Sequence, residues 1–222
     1  MPILNENAQL NLPVDEIQNE RQTLISFLID SSSSMSSYED AMRESIEKFK
    51  QAIANSKEKD EIMISRTNFN HEIEVSGYQL VETMSTDYCA DGGTALYDAI
   101  VTAQQNLYQG RDGGGYMAEL QKNGIRVKSL FLIFSDGEDR HSQSSINEAR
   151  QSIQFLQKEE ILVAYVCFGG GRSIATELGI QPNNIVETDA TESELRKIMQ
   201  VVSRSAVSFS QAAKETGDFF VG

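Results

Sequence analysis

The stretch TLISFLIDSSSSM, residues 23–35, decides the fold class. Seven residues from Thr23 to Ile29 are almost all apolar, with no polar alternation. A strand with one wet face alternates, so this one reads as buried on both faces, as in a parallel sheet covered by helices. The strand stops abruptly at Asp30, a serine run follows, and Ser36, Ser37, Glu39 and Asp40 read as a hydroxyl cap with acids in a first helical turn. Behind it, Met42, Ile46, Phe49 and Ile53 fall on one helical stripe.

Working outward, the same rhythm recurs. Residues 130–134 (LFLIF) and 161–168 (ILVAYVCF) read as further buried strands. Helices are expected at 96–107, with Leu96, Ile100, Ala103 and Leu107 inward, and at 142–158, with Ile146, Ala149, Ile153 and Leu156 inward. Residues 61–69 and 72–75 read as two strands joined tightly at Asn70-His71. Residues 110–115 form a glycine-rich loop, 116–123 a short helix, 174–178 another, and 184–187 a brief edge strand. A last helix over 191–206 is capped by Thr191 with Glu194 three residues on. The expectation is an α/β fold, doubly wound, with a mostly parallel central sheet, helices on both faces and one antiparallel edge strand. In such sheets ligands sit outside the carboxyl ends of the strands, where strand order reverses.

Composition narrows the function classes. Asp and Glu outnumber Lys and Arg 33 to 19, a formal charge of −14, which opposes nucleic acid and anionic membranes as partners. Of the two cysteines, Cys167 lies in an apolar run and Cys89 in a loop, and neither has a partner at zinc or disulfide spacing. No secretory pattern opens the chain, and no apolar run approaches the roughly 20 residues that span a bilayer. A cytoplasmic protein is expected.

Asp30 and Asp136 each follow directly on a buried strand, so both belong at the ligand-binding edge of the sheet. In an extended turn Ser32 and Ser34 share the direction of Asp30. Thr94 follows Gly92-Gly93, just before a helix, where the glycines permit close backbone approach. Two carboxylates and three hydroxyls are hard oxygen donors, suited to Mg²⁺, with Mn²⁺ or Ca²⁺ possible, rather than to zinc or copper.

Asp30-x-Ser32-x-Ser34 after a strand, Thr94 after Gly-Gly and Asp136-Gly137 after another strand resemble the metal-ion-dependent adhesion site of von Willebrand factor A (VWA) domains. The resemblance covers residues 23–206, flanked by an N-terminal segment 1–22 and a tail 207–222. It implies a Rossmann-like VWA fold, with Ser32, Ser34 and Thr94 meeting the metal directly and one or both of Asp30 and Asp136 acting through water, depending on state. It further implies capture of an Asp or Glu side chain from a protein partner, without catalysis. The chain is also similar to bacterial stand-alone A domains associated with tellurite resistance, whose implied partners are a phosphatase and a kinase encoded nearby. Ser31 and Ser33 depart from the commoner Thr and Gly of that loop, but no ligand position is lost.

Blander readings stand beside each element. The serine run could be a linker, Asp136-Gly137 an ordinary turn and Thr94 a helix cap. Glu138 and Asp139 read as a solvated face, His71 and His141 as surface residues, and 169–173 (GGGRS) as a strand-to-helix turn without phosphate-loop spacing. Two other functions remain open at this point. One is an Mg²⁺-dependent phosphoryl-transfer enzyme with Asp30 as nucleophile, although Ser32 stands where such enzymes place an acid. The other is a structural assembly component with a vestigial site. The Phe219-Phe220 pair is expected to dock on its own domain.

Overall fold

The computed structural model of the chain describes residues 11–17, 20–56, 61–108, 115–212 and 218–220. Strand β1 (Arg21–Asp30) lies at the centre of the sheet and is buried from Gln22 onward. Its side chains nevertheless alternate between two cores. Leu24 and Leu28 enter one, while Ile25, Phe27 and Ile29 enter the other. A strand that serves two cores has no wet face, which is why its sequence shows no alternation.

On one side β1 pairs in parallel with β2 (Ile62–Phe69), Ile25 opposite Ile64. On the other it pairs in parallel with β5 (Arg126–Ser135), Ile25 opposite Leu130. Strands β6 (Leu162–Phe168) and β7 (Ile185–Thr188) continue in parallel beyond β5. The antiparallel edge is built by two short strands on β2, β3 (Ile73–Val75) and β4 (Gln79–Leu80). The order is β3-β2-β1-β5-β6-β7, so strand order reverses between β1 and β5. Asp30 ends β1 and Asp136 follows β5. Both acids therefore stand at the switch point.

Helices α1 (Glu39–Ala54) and α6 (Glu192–Gln211) cover one face, meeting Phe27, Phe134 and Phe168 through Met42, Phe49 and Val202. Helices α2 (Leu96–Tyr108), α3 (Tyr116–Lys122) and α4 (Ile146–Lys158) cover the other, with the short α5 (Arg172–Glu177). Each fully buried Leu, Ile or Phe contributes about 1.5–3 kcal/mol, so the two layers supply most of the stabilisation. The segments outside the sheet pack on it. Leu12 N donates to the Tyr78 carbonyl, and Tyr116 Oη to the Leu12 carbonyl. Phe219 is buried in the α1–α6 core, and its N–H donates to Asn184 Oδ1.

Several boundaries differ from the sequence reading, β5 beginning four residues early at Arg126 among them, and the glycine-rich loop expected at 110–115 lies outside the described residues up to position 114. The expected hydroxyl cap of α1 is absent. Ser33–Tyr38 forms a 3-10 turn, and Tyr38 precedes the helix without a side-chain cap. The serines are taken up by that turn and by the site it carries. Helix α4 begins at Ile146 rather than 142, because Ser145 and Glu148 form a capping box there. Helix α6 runs five residues past 206, with Ser205, Ala206 and Phe209 still buried. Removing the box by Glu148→Ala leaves the Ser145 N–H without its partner, and chemical denaturation should show a loss of about 1 kcal/mol.

Candidate metal centre

Ser32 leaves β1 in an extended conformation, and the 3-10 turn that begins at Ser33, where an extended path was expected, immediately meets the loop before α2. Ser33 N and Ser33 Oγ both donate to the Gly92 carbonyl, at 3.0 and 2.8 Å, and Asp91 N donates to the Ser31 carbonyl at 2.9 Å. The third loop is bound to the second just as firmly. Arg140 N and His141 N both donate to the Thr94 carbonyl at 3.0 Å. Asp139 Oδ2 accepts from Tyr97 N in the first turn of α2, and the Asp98 carboxylate accepts from Gln143 N and Ser144 N. Three loops from separate parts of the chain thus form one rigid unit.

Within that unit the expected oxygens come together. Ser32 Oγ and Ser34 Oγ lie 2.9 Å apart, and Ser34 Oγ donates to Asp136 Oδ2 at 2.6 Å. Ser32, Ser34 and Thr94 line one cleft of about 430 Å³, rimmed by Glu138, Arg140 and His141. Asp30 sits beneath it, fully buried, with Oδ1 accepting from Ser32 N and Oδ2 from Ser135 Oγ. Asp136 Oδ1 accepts from Glu138 N. Burial raises the Asp30 carboxyl to about 6. The hydrogen bonds from Ser135 and Ser32 oppose that shift, and the nearby Asp136 charge adds to it.

The chemistry of this donor set fits a hard divalent cation. Ligands at about 2.0–2.1 Å in an octahedron place neighbouring oxygens about 2.9 Å apart. Ser32 Oγ and Ser34 Oγ stand at that separation, with Asp136 Oδ2 accepting from Ser34 Oγ beside them. Among the described residues no group of three or more His, Cys, Asp or Glu side chains could hold a metal. A metal at this cleft would therefore depend on neutral hydroxyls beside two carboxylates.

Several supporting residues escaped the sequence reading. Ser135 holds Asp30 from below, and its Oγ also accepts from Gly137 N. Tyr88 Oη donates to the Asp30 carbonyl. Arg66, in the middle of β2, donates through Nη1 and Nη2 to the carbonyls of Ser85 and Asp87, and so ties down the loop that carries Tyr88. Its burial lowers the guanidinium to about 10. A charged residue in the middle of a strand buried along most of its length was the available signal. His71 and His141 are exposed, as expected of surface residues, yet their rings pack where side chains of Gly92 and Gly93 would stand.

No protein-family model matches the sequence, and no curated protein matches it. Solved structures do match. A VWA domain described as SpRpn10 VWA is 14% identical with a TM-score of 0.56, over 80% of this chain and 93% of that one. The fold is VWA-like. The pilus adhesin SpaC from Lactobacillus rhamnosus GG is 11% identical with a TM-score of 0.65, over 86% of this chain. Proximal thread matrix protein 1 of the mussel byssus, solved with a zinc-occupied MIDAS motif, is 17% identical with a TM-score of 0.59, over 84% of this chain. This VWA-like chain spans 30% of the adhesin structure's length and 46% of the byssus protein's. No helix among its described residues is long and apolar enough to cross a membrane.

Proposed function

We propose that the cleft between the ends of β1 and β5 holds one divalent cation, Mg²⁺ in the cell, and captures an acidic side chain of a protein partner. The observation that carries this reading is the chain of oxygens from Ser32 through Ser34 to Asp136, with Ser32 and Ser34 lining one cleft together with Thr94. A bound cation supplies a positive charge with a coordination position open to an incoming carboxylate. Ser32, Ser34 and Thr94 hold it with neutral hydroxyls that leave its charge largely uncompensated, while Asp30 and Asp136 anchor the shell. The byssus protein with its zinc-occupied MIDAS motif supports metal binding on this fold.

Binding rather than catalysis fits the surroundings of Asp30. Asp30 is fully buried beneath the cleft, so its carboxylate is not exposed for in-line attack on phosphorus. No lysine lines the cleft, and Arg140 on its rim is paired with Glu138 at 3.0 Å rather than aimed at a developing phosphate charge. We place the module in the cytoplasm, in a bacterial stress-response or signalling complex, with a phosphatase or kinase encoded nearby as the first partner to try.

The test is capture of those candidates by the immobilised chain. Mg²⁺ should support capture, EDTA should release the partner, and Thr94→Ala should abolish it while the circular dichroism spectrum is kept. A partner held equally well in EDTA and by Thr94→Ala would overturn the reading.

A further inference from the structure

A second and larger cavity, about 720 Å³, adjoins the metal cleft. Asp91 lines both, and its N–H is bonded to Ser31 at the end of β1. The floor of this trough is one face of the β2–β3 hairpin. Thr67, Phe69, Ile73 and Val75 point to the opposite face, where Phe69 and Ile73 enter the core. By the two-residue period of a strand, Arg66, Asn68 and Asn70 face the trough from one side, and Glu72, Glu74 and Ser76 from the other. Across that face lies the loop of Met84, Ser85, Asp87 and Tyr88 instead of a helix, leaving an open channel between hairpin and loop.

The trough has a sign. Its charged lining is Glu72, Glu74, Asp87 and Asp91 against Arg43 and Arg66. Arg43 is paired with carboxylates outside the trough, and Arg66 alone, beside Glu74 and Asp87, offsets part of the acid, so the balance stays negative. Arg66 bonds Asn68 and the carbonyls of Ser85 and Asp87, and Arg43 bonds the Tyr88 carbonyl, Glu39 and Asp40. The four carboxylates are exposed, and among the described residues none of them forms a salt bridge.

We propose that this trough receives the extended stretch of the partner next to its acidic anchor and selects a lysine or arginine there. The inference rests on the cleft being the metal site. The geometry also sets a spacing. Asp30 is one strand from Phe69, which is paired with Ile73, so the hairpin acids stand about two strand spacings, or about 10 Å, to the side of the cleft. An extended chain covers that in about three residues. The recognised element is an Asp or Glu with a basic residue two to four positions away. A cation placed there meets Glu72 and Glu74 on one wall and Asp87 on the other. A purely acidic partner segment is repelled.

The probes are two short labelled peptides, each with one Asp anchor. One carries Arg three residues away, and the other carries Gln at that position. Binding to the full chain is followed by amide NMR shifts with Mg²⁺ present, and Mn²⁺ broadening on the same sample reports metal loading. The Arg peptide should bind about three- to fivefold more tightly at low ionic strength, with the advantage fading as salt rises. The double variant Glu72→Gln/Glu74→Gln should erase the advantage while keeping EDTA-sensitive binding of the Gln peptide. Equal binding of both peptides, or an advantage that survives the double variant, overturns the trough proposal alone when Mn²⁺ loads normally, whereas no binding of either peptide overturns acidic capture at the cleft along with it. Failure of Mn²⁺ to load overturns the reading of the cleft, and the trough proposal with it.

Discussion

Mg²⁺ held at a hundred times its dissociation constant should raise the thermal midpoint of the native chain by about 5–10 °C, and that of Ser34→Ala not at all. The size follows from linkage. A ligand that binds only the folded state at that excess adds about 2.7 kcal/mol. A chain of 150–250 residues gains about 2–4 °C per kcal/mol. Ser34 is the decisive position because its Oγ is bonded to both Ser32 and Asp136. Its loss takes out the middle oxygen of the chain while leaving Asp30 and its Ser135 bond in place. The variant should also melt lower without metal, since two hydrogen bonds go, each worth about 1 kcal/mol. Each protein is therefore compared with its own metal-free melt. No shift in the native chain would support the vestigial, structural reading. A full shift retained by Ser34→Ala would move the metal elsewhere.

Much of this was legible in the sequence because burial leaves a pattern. Residues 23–29 show no alternation since successive side chains enter two different cores, and that signature made the parallel sheet readable without coordinates. Asp30 and Asp136 were placed at the switch point by the same argument, since each ends a run that cannot continue into water. Hydrogen bonds between distant segments leave no such pattern. Nothing in the spacing of Arg66 announces that it holds the carbonyls of Ser85 and Asp87. The cap of α1 was misread because Ser36 and Ser37 have the right chemistry for a cap but are spent in a 3-10 turn. Local propensity favours several outcomes for such a run, and the tie to Gly92 and Asp136 selects among them.

The same distinction separates two glycines that look alike in the chain. Gly124 and Gly137 both adopt positive φ, 79° and 85°. A Cβ on Gly124 would meet nothing within 4 Å, whereas one on Gly137 would stand 2.4 Å from the Gly171 Cα. Gly171, also at positive φ, packs in turn against the Asp136 carbonyl. Gly124→Ala should therefore cost only left-handed backbone strain, about 1–2 kcal/mol. Gly137→Ala adds a clash with main chain that no rotamer can relieve, so a loss of about 3–4 kcal/mol is expected in urea denaturation at unchanged m. The backbone must shift to admit the methyl group, and the residue it shifts first is Asp136. Gly137→Ala should consequently lose metal affinity measured well below its melting point, and Gly124→Ala should keep it. Equal destabilisation by the two substitutions, or Gly137→Ala binding Mn²⁺ as tightly as the native chain, would show that the contact with Gly171 does not hold the metal loop.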